Sequence, residues 1–357
     1  VPLDPETMGP QARNPVSMDE NLKITRADAV HRIAVERYGE PELGFWARLG
    51  RWIARAAAPP QPRVGVIDPG ADVSHPLLKR VKEVKNATSG PAIDDNGHGS
   101  WVTSMILNYA PWLKSVTHYK TFVDGSASLD DILKALTMAG NDGNLVISNS
   151  WGSDDGDPNS PDSRLVLKLA EEGHIMVFAA GNAGPQANTI GSPAVVQFRD
   201  SKTRAIRVLA VAASDRDRKV ASFSSRGPAS PMTSGDKNWP HRPDLMGVGQ
   251  NTDGAWPKDF DPDRIDPKLG ALKAISGTSM STPAIAGAIA LHCMMFGVTV
   301  KGEKLDSLIN AVMGALEKSG QSRDAEGEGF LNVEGAYRLV EKILDGKGPR
   351  QSRPTGP

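Results

Sequence analysis

Ile275-Ser-Gly-Thr-Ser-Met-Ser-Thr-Pro283 sets one serine, Ser279, among small residues directly ahead of a long apolar run. From Ile275 to Val300 there is no Asp, Glu, Lys or Arg, which is length enough to cross a bilayer. Polar residues from Ser276 to Thr282, Pro283 and His292 interrupt the run, and nothing basic follows before Lys301. It reads as a core helix apolar on all sides, with no membrane span. A serine hydroxyl is a weak nucleophile near neutral pH and needs a base to take its proton. Two upstream segments supply the missing groups. Val64-Gly-Val-Ile-Asp68-Pro-Gly70 ends an apolar strand on a carboxylate, and Asp95-Asn-Gly-His98-Gly-Ser100 opens a helix on an imidazole. An imidazole titrates close to ambient pH, and a buried carboxylate on its far nitrogen fixes the tautomer and stabilises the imidazolium. The order Asp68, His98, Ser279 is one of three that separate the serine-hydrolase architectures, and the absence of a G-x-S-x-G elbow removes another.

The composition is that of a soluble globular protein. The chain has 357 residues, 39% hydrophobic and 23% charged, with a net charge of -1. That balance argues against charge-driven binding to nucleic acid or anionic membrane. One cysteine, Cys293, excludes an internal disulfide, so the fold does not require an oxidising compartment. The sequence starts at Val1 with no visible secretory leader; the reading leans to the cytoplasm and leaves secretion open.

Residues 1–62 read as an N-terminal helical extension and linker, 63–344 as the main domain, and 345–357 as a disordered tail. Residues 1–20 are Pro-rich and polar and are expected to be loosely ordered. One helix is expected from Arg26 to Tyr38, with Thr25 and Asp28 as capping pair. A second carries Phe45, Trp46, Leu49, Trp52 and Ile53 on one side, and Ala58-Pro-Pro-Gln-Pro62 is a stiff linker. Further on, strand-like runs at Val64–Asp68, Leu145–Asn149, Ile175–Ala180 and Ile206–Ala213 alternate with helical patterns beginning at His98, Leu129, Ser163, Thr282, Leu305 and Val333. Continuous apolar strands separated by helices predict an α/β fold in three layers, a mostly parallel central sheet with helices on both faces. Residues 239–268 read as a Pro- and Asp-rich loop region broken only by Leu245–Val248.

With these motifs quoted, the chain resembles the subtilisin-like serine peptidases, the subtilases, over roughly Arg63 to Leu344. The resemblance rests on the three segments above and on Ala221-Ser-Phe-Ser-Ser-Arg-Gly-Pro228, Arg242-Pro-Asp-Leu245 and Gly327-Glu-Gly-Phe-Leu-Asn-Val333. It implies a serine endopeptidase acting on a polypeptide substrate, with Asp68, His98 and Ser279 as triad. In Ala179-Ala-Gly-Asn182-Ala-Gly184 the bland reading is a turn with Asn in a left-handed conformation; the resemblance implies instead that Asn182 aims its amide at the oxyanion. It further implies that Ser150, Trp151 and Gly152 form one wall of the substrate cleft and Gly125, Ser126 and Ala127 the other, with the peptide added between them as an extra strand. Ser150-Trp-Gly-Ser-Asp-Asp-Gly156 also resembles the kexin and furin branch, where acidic groups select basic residues, although it is one residue shorter here.

Departures and rival readings stay in view. Pro69 stands where the family has Ser or Thr and removes an N–H beside Asp68; Ser100 replaces a Thr, and Trp101 is expected at the rim of the site. Asp259, Asp261 and Asp263 have the spacing of a calcium loop, but Arg264 and Gly270 break the EF-hand pattern. No cofactor is needed for the chemistry, no metal ligands are assigned, and a structural calcium is left open. The N-terminal helices read as a packed extension, an inhibitory or regulatory segment, or a partner-binding helix. Two alternatives to a general endopeptidase are a processing or maturation protease for one partner protein and a peptide-binding pseudoprotease.

Overall fold

The computed structural model describes residues 14–41, 58–228 and 241–344. The helix expected around Phe45 to Ile53, most of residues 1–20 and the tail after Leu344 lie outside the described residues. Among the described residues the first helices are α1 (Met18–Ile24) and α2 (Ala27–Tyr38). Two expectations fail here. Residues 16–20 are built into the structure: Val16 bridges Thr252, and Ser17 caps α1 by accepting from the Glu20 N–H. Thr25 caps no following helix; it closes α1, and α2 starts from Arg26 in the left-handed region with no side-chain cap. The Thr25 hydroxyl bonds the carbonyl of Asn21 and pairs with Tyr109 Oη at 2.9 Å, which a sequence pattern of cap and acid three residues apart does not reveal.

The central sheet has seven strands in the order β2-β3-β1-β4-β5-β6-β7. They are β1 (Val64–Asp68), β2 (Val81–Asn86), β3 (Val116–Lys120), β4 (Val146–Asn149), β5 (Ile175–Ala179), β6 (Val208–Ser214) and β7 (Leu245–Val248). Every pairing is parallel. Such a sheet must be covered on both faces, so its inner strands are apolar on both sides. Val64, Val66, Val146, Val177 and Val211 belong to one core, with residues of helices α3 (His98–Tyr109) and α6 (Thr278–Phe296). Ile67, Ile147, Met176, Phe178 and Val208 belong to the other, against α4 (Leu129–Asn141) and α5 (Pro161–Glu171). This is the expected three-layer α/β architecture. Helices α7 (Glu303–Gly314), α8 (Arg323–Glu326) and α9 (Val333–Leu344) are the last of the described elements.

The Pro- and Asp-rich region holds more structure than expected. Besides β7 it contains β8 (Thr252–Ala255) and β9 (Arg264–Asp266), which flank β10 (Gly270–Ile275) in a three-stranded antiparallel sheet. Its acids do local work: Asp253 pairs with Arg264, and Asp263 accepts from the Ala274 N–H at 2.8 Å. Among the described residues no group of three or more His, Cys, Asp and Glu could hold a metal ion. Helix α6 is long and apolar enough to cross a membrane by length and composition, yet 94% of it is buried inside the protein.

Residues 14–41 pack on this domain along α3 and α6 and, through Val16, beside β8. Leu22, Ala27, Val30, Ala34 and Tyr38 share the core of α3 and α6. Arg37 donates to the carbonyl of Met295, His31 bonds that of Tyr109, and Trp112 donates to that of Gly39.

Candidate active site

From β1 the chain goes to the edge strand β2, returns through β3 beside β1, then crosses to β4 on the other side of β1 and proceeds outward from there. Ligands of open α/β sheets bind at such a reversal, beyond the carboxyl ends of the strands. Ile67 is level with Asn149, so the next residues, Asp68 and Ser150, stand side by side across that reversal. Asp68 is level with Lys120 on its other flank. Side chains alternate along a strand; Val66, Val116 and Val146 face α3 and α6, so Asp68, Lys120 and Ser150 do as well. The first residue of α3 is His98, and the second of α6 is Ser279.

Asp68 and His98 meet. The imidazole Nδ1 donates to Asp68 Oδ1 at 2.7 Å, with both side chains buried. A carboxylate has no hydrogen to give, so Nδ1 carries the proton and Nε2 presents its lone pair. Two backbone features bring the pair together. Asp94 grips the start of α3, accepting the N–H of Asn96 and Gly97 on one oxygen and the N–H and hydroxyl of Ser100 on the other. A Cβ on Gly99 would lie 2.0 Å from the Gly70 carbonyl oxygen, and one on Gly70, at φ +140, would lie 2.4 Å from the Ile93 carbonyl oxygen, so Gly99 is required by the aspartate loop and Gly70 by the loop that leads to His98.

Burial pushes the Asp68 carboxyl above its ordinary value, against the opposing pull of His98. Its Oδ2 has no hydrogen-bond partner among the described residues, as the missing N–H of Pro69 leads one to expect. Beneath it lies His118, pushed down to about 3 by burial and bonded through Nδ1 to the Thr103 hydroxyl.

Ser279 is joined to the strand beside Asp68. Its hydroxyl donates to the Ser150 carbonyl at 3.0 Å, and the Ser150 hydroxyl donates to the Ser279 carbonyl at 2.9 Å. The second bond has a covalent cause. Pro283, four residues on, has no N–H to close the helical bond to Ser279, and Ser150 supplies the donor. Asn182 is fixed equally well. Its Oδ1 accepts from the Thr278 N–H at 2.9 Å and the Thr278 hydroxyl at 3.1 Å. An N–H can be met only by the carbonyl end of the amide, which turns the NH2 away from Thr278. That NH2 lies 3.4 Å from where a Gly277 Cβ would be. The Ser279 N–H belongs to the first turn of α6, whose N–H groups have no intrahelical acceptor. The left-handed residue of this turn is Gly181, at φ +108, and not Asn182.

The cleft walls divide. Val123 and Ser126 exchange main-chain hydrogen bonds around the left-handed pair Asp124-Gly125. This turn stands over the His98 loop, since a Gly125 Cβ would be 3.7 Å from Asn96 Nδ2; Ser126 is exposed and Ala127 half-buried beside it. On the other wall, Gly152 runs against the Ser192 carbonyl, 3.0 Å from a would-be Cβ. Trp151 corrects the reading of a wall residue: its indole is fully buried between Phe122 and Phe178, ring centroids 6.2 and 5.3 Å away. Only its main chain can face a substrate. Trp101 is also core and not rim, packed on Gly254 with Nε1 donating to the Lys273 carbonyl. Sequence reasoning missed Asp94, Ser150 as partner of the Ser279 carbonyl, and Lys120, a lysine closing a strand run without an exposed face.

Known proteins resemble this chain in sequence and fold. The Subtilase family profile matches residues 61–311, and the chain belongs to that family. It is 27% identical over 301 residues to subtilisin-like protease SBT6.1 of Arabidopsis thaliana and 28% over 293 residues to human membrane-bound transcription factor site-1 protease. Each match covers 78% of this chain and about a quarter of the relative, 26% and 25%. Subtilisin DY of Bacillus licheniformis is 29% identical over 290 residues, 77% of this chain and 90% of that protein. Among solved structures, the prenylagaramide maturation protease PagA has a similar fold, with TM-score 0.60, 22% identity, and coverage of 82% of this chain and 98% of that one.

Proposed function

We propose that this chain is a serine endopeptidase that hydrolyses polypeptides through an acyl-enzyme. The observation that carries the proposal is the 2.7 Å Asp68–His98 bond at the reversal point of the sheet, beside a serine hydroxyl held by the adjoining strand. On substrate binding the Ser279 hydroxyl turns from the Ser150 carbonyl toward His98 Nε2, exchanging one hydrogen bond for another. Ser279 Oγ attacks the scissile carbonyl as His98 takes its proton, and His98 then gives that proton to the leaving amine. Asp68 holds the imidazole in the required tautomer. The Asn182 amide and the Ser279 N–H receive the oxyanion, and water repeats the sequence on the acyl-enzyme. The test is labelling by a fluorophosphonate probe: wild type reacts and Ser279→Ala does not. Labelling that persists in the Ala variant overturns the assignment, and a wild type that stays unlabelled favours a pseudoprotease.

A second reading, a processing enzyme for one partner protein, is favoured by the Val123–Ser126 turn. Its main-chain groups bond each other and offer a peptide less edge than an open strand. Cleavage of casein supports the general enzyme; cleavage of a single native partner with casein intact supports the dedicated one. We assign residues 14–41 a permanent bracing role and not an inhibitory one. Their contacts at Tyr109 and Met295 lie at the far ends of α3 and α6 from His98 and Ser279, roughly 16 and 24 Å along the helix axes at 1.5 Å per residue, while Val16 and Asn21 hold Thr252, the β8 residue level with Ile275.

A further inference from the structure

Lys120 is the last residue of β3, and its side chain has no solvent exposure. A buried ammonium is costly unless all three of its N–H groups are used. Here Nζ donates to the Pro69 carbonyl at 2.7 Å, to Asp95 Oδ2 at 2.8 Å and to the Phe122 carbonyl at 3.0 Å. The three acceptors come from three separate loops, and each loop belongs to the proposed site. Pro69 follows Asp68 directly. Asp95 stands three residues before His98, in the loop that starts α3. Phe122 leads into the Val123–Ser126 turn that forms one wall of the cleft, and its ring packs on Trp151, which leads to the other wall. A lysine needed only to fill space beside the sheet would have no reason to draw its acceptors from these three segments.

We infer that Lys120 is a positioning residue that holds the aspartate loop, the histidine loop and the substrate wall in register. The inference deepens the proposed function and rests on it for the roles of Asp68 and His98. Lys120 touches neither substrate nor reacting atoms; it acts by fixing the backbones on either side of the Asp68–His98 bond. Displacement of about 1 Å at such a pair is enough to cost up to about 100-fold in rate.

The test compares Lys120→Met, which keeps the length of the side chain and removes its donors, with Arg207→Met. The latter breaks a buried pair with Asp306 remote from the site and serves as a control for lost stability alone. Two readouts are followed: the low-field proton resonance of the His98 Nδ1–H in the Asp68 bond, and kcat and KM on an extended peptide and a small ester. Lys120→Met is expected to broaden or abolish the resonance, lower kcat about 10- to 100-fold on both substrates, and raise KM for the peptide alone. Arg207→Met is expected to lose thermal stability with the resonance and kcat intact. A Lys120→Met protein whose resonance and kcat match wild type while its melting temperature falls like the control's overturns the inference. If Lys120→Met does not fold, Asp95→Asn is read the same way: it removes one charged acceptor, and an unchanged resonance and kcat overturn the inference. A wild type without fluorophosphonate reactivity refutes the hydrolytic reading, and the resonance by itself then decides the role of Lys120.

Discussion

The two ends of the seven-stranded sheet treat a carboxyl in opposite ways, half-buried Asp142 at one and buried Asp68 at the other. Toward the amino end, on the α4 face, Asp142 receives Lys85 Nζ at 2.7 Å on both oxygens and the Tyr119 hydroxyl at 2.5 Å. Asn144 donates to Tyr119 Oη and the Ala139 carbonyl, and His174 bonds the Asn144 carbonyl. Lys85, Asp142 and Asn144 border a cleft of about 390 Å³ lined also by Arg63 and Glu83. At the carboxyl end, Asp68 has one bonded oxygen and one without a partner. Burial alone would raise both acids. Lys85 and Tyr119 reverse the effect and hold Asp142 below its usual value, whereas His98 does not offset the burial of Asp68. The base of the sheet is arranged for stability, and the rim keeps an under-solvated acid where the proposed chemistry uses one.

The sharpest way to break that contrast is at the rim. Ser279→Ala is expected to lower kcat by about 10⁶-fold, measured on a chromogenic peptide. Next comes Asp68→Asn, expected to lose about 10⁴-fold by releasing the imidazole tautomer. The same substitution should raise stability at neutral pH. Asp68 has a folded-state pKa above its unfolded one, so its stability contribution is whole below the unfolded value and is lost as pH rises through the folded value. Melting curves should place the Asn variant above wild type at neutral pH and converge with it in acid; a lower melting temperature at neutral pH would refute the sign. Asn182→Ala is expected to cost about 10²–10³ in kcat with KM little changed. The magnitudes for Ser279 and Asn182 are those measured in subtilisin, a member of the same family.

The smallest effect belongs to the base. Asp142→Asn should leave kcat unchanged and cost about 1 kcal/mol at neutral pH. Its depressed pKa gives the opposite sign: the contribution is present above the unfolded value and fades as pH falls through the folded one. Equal effects of Asp→Asn at 68 and 142 on the melting temperature would erase the distinction between the two ends.

How much could be read in advance followed from how each element is buried. Strands β1, β4, β5 and β6 are covered on both faces and show as unbroken apolar runs. Strand β2 lies at the sheet edge with Lys82 and Glu83 exposed, and β3 carries His118 and Lys120, so neither has an apolar signature. The short strands β8 and β9 are held by pairing with β10 and by the Asp253–Arg264 pair, information that local composition lacks. In the site, Asp68, His98, Ser279 and Asn182 stand in motifs whose small residues make them visible. The two tryptophans were misplaced because a motif fixes where a backbone runs and not which layer receives the side chain. Lys120 stayed hidden because two of its three partners, the Pro69 carbonyl and Asp95, come from distant loops.

The contact between Gly70 and Gly99 has a consequence for altering this protein. The spacing of the acid and the imidazole is set where two main chains touch, before either side chain selects a rotamer. Neither loop can therefore be exchanged alone with a homologous segment that carries a side chain at that point; a graft that respects the site must transplant both as one unit.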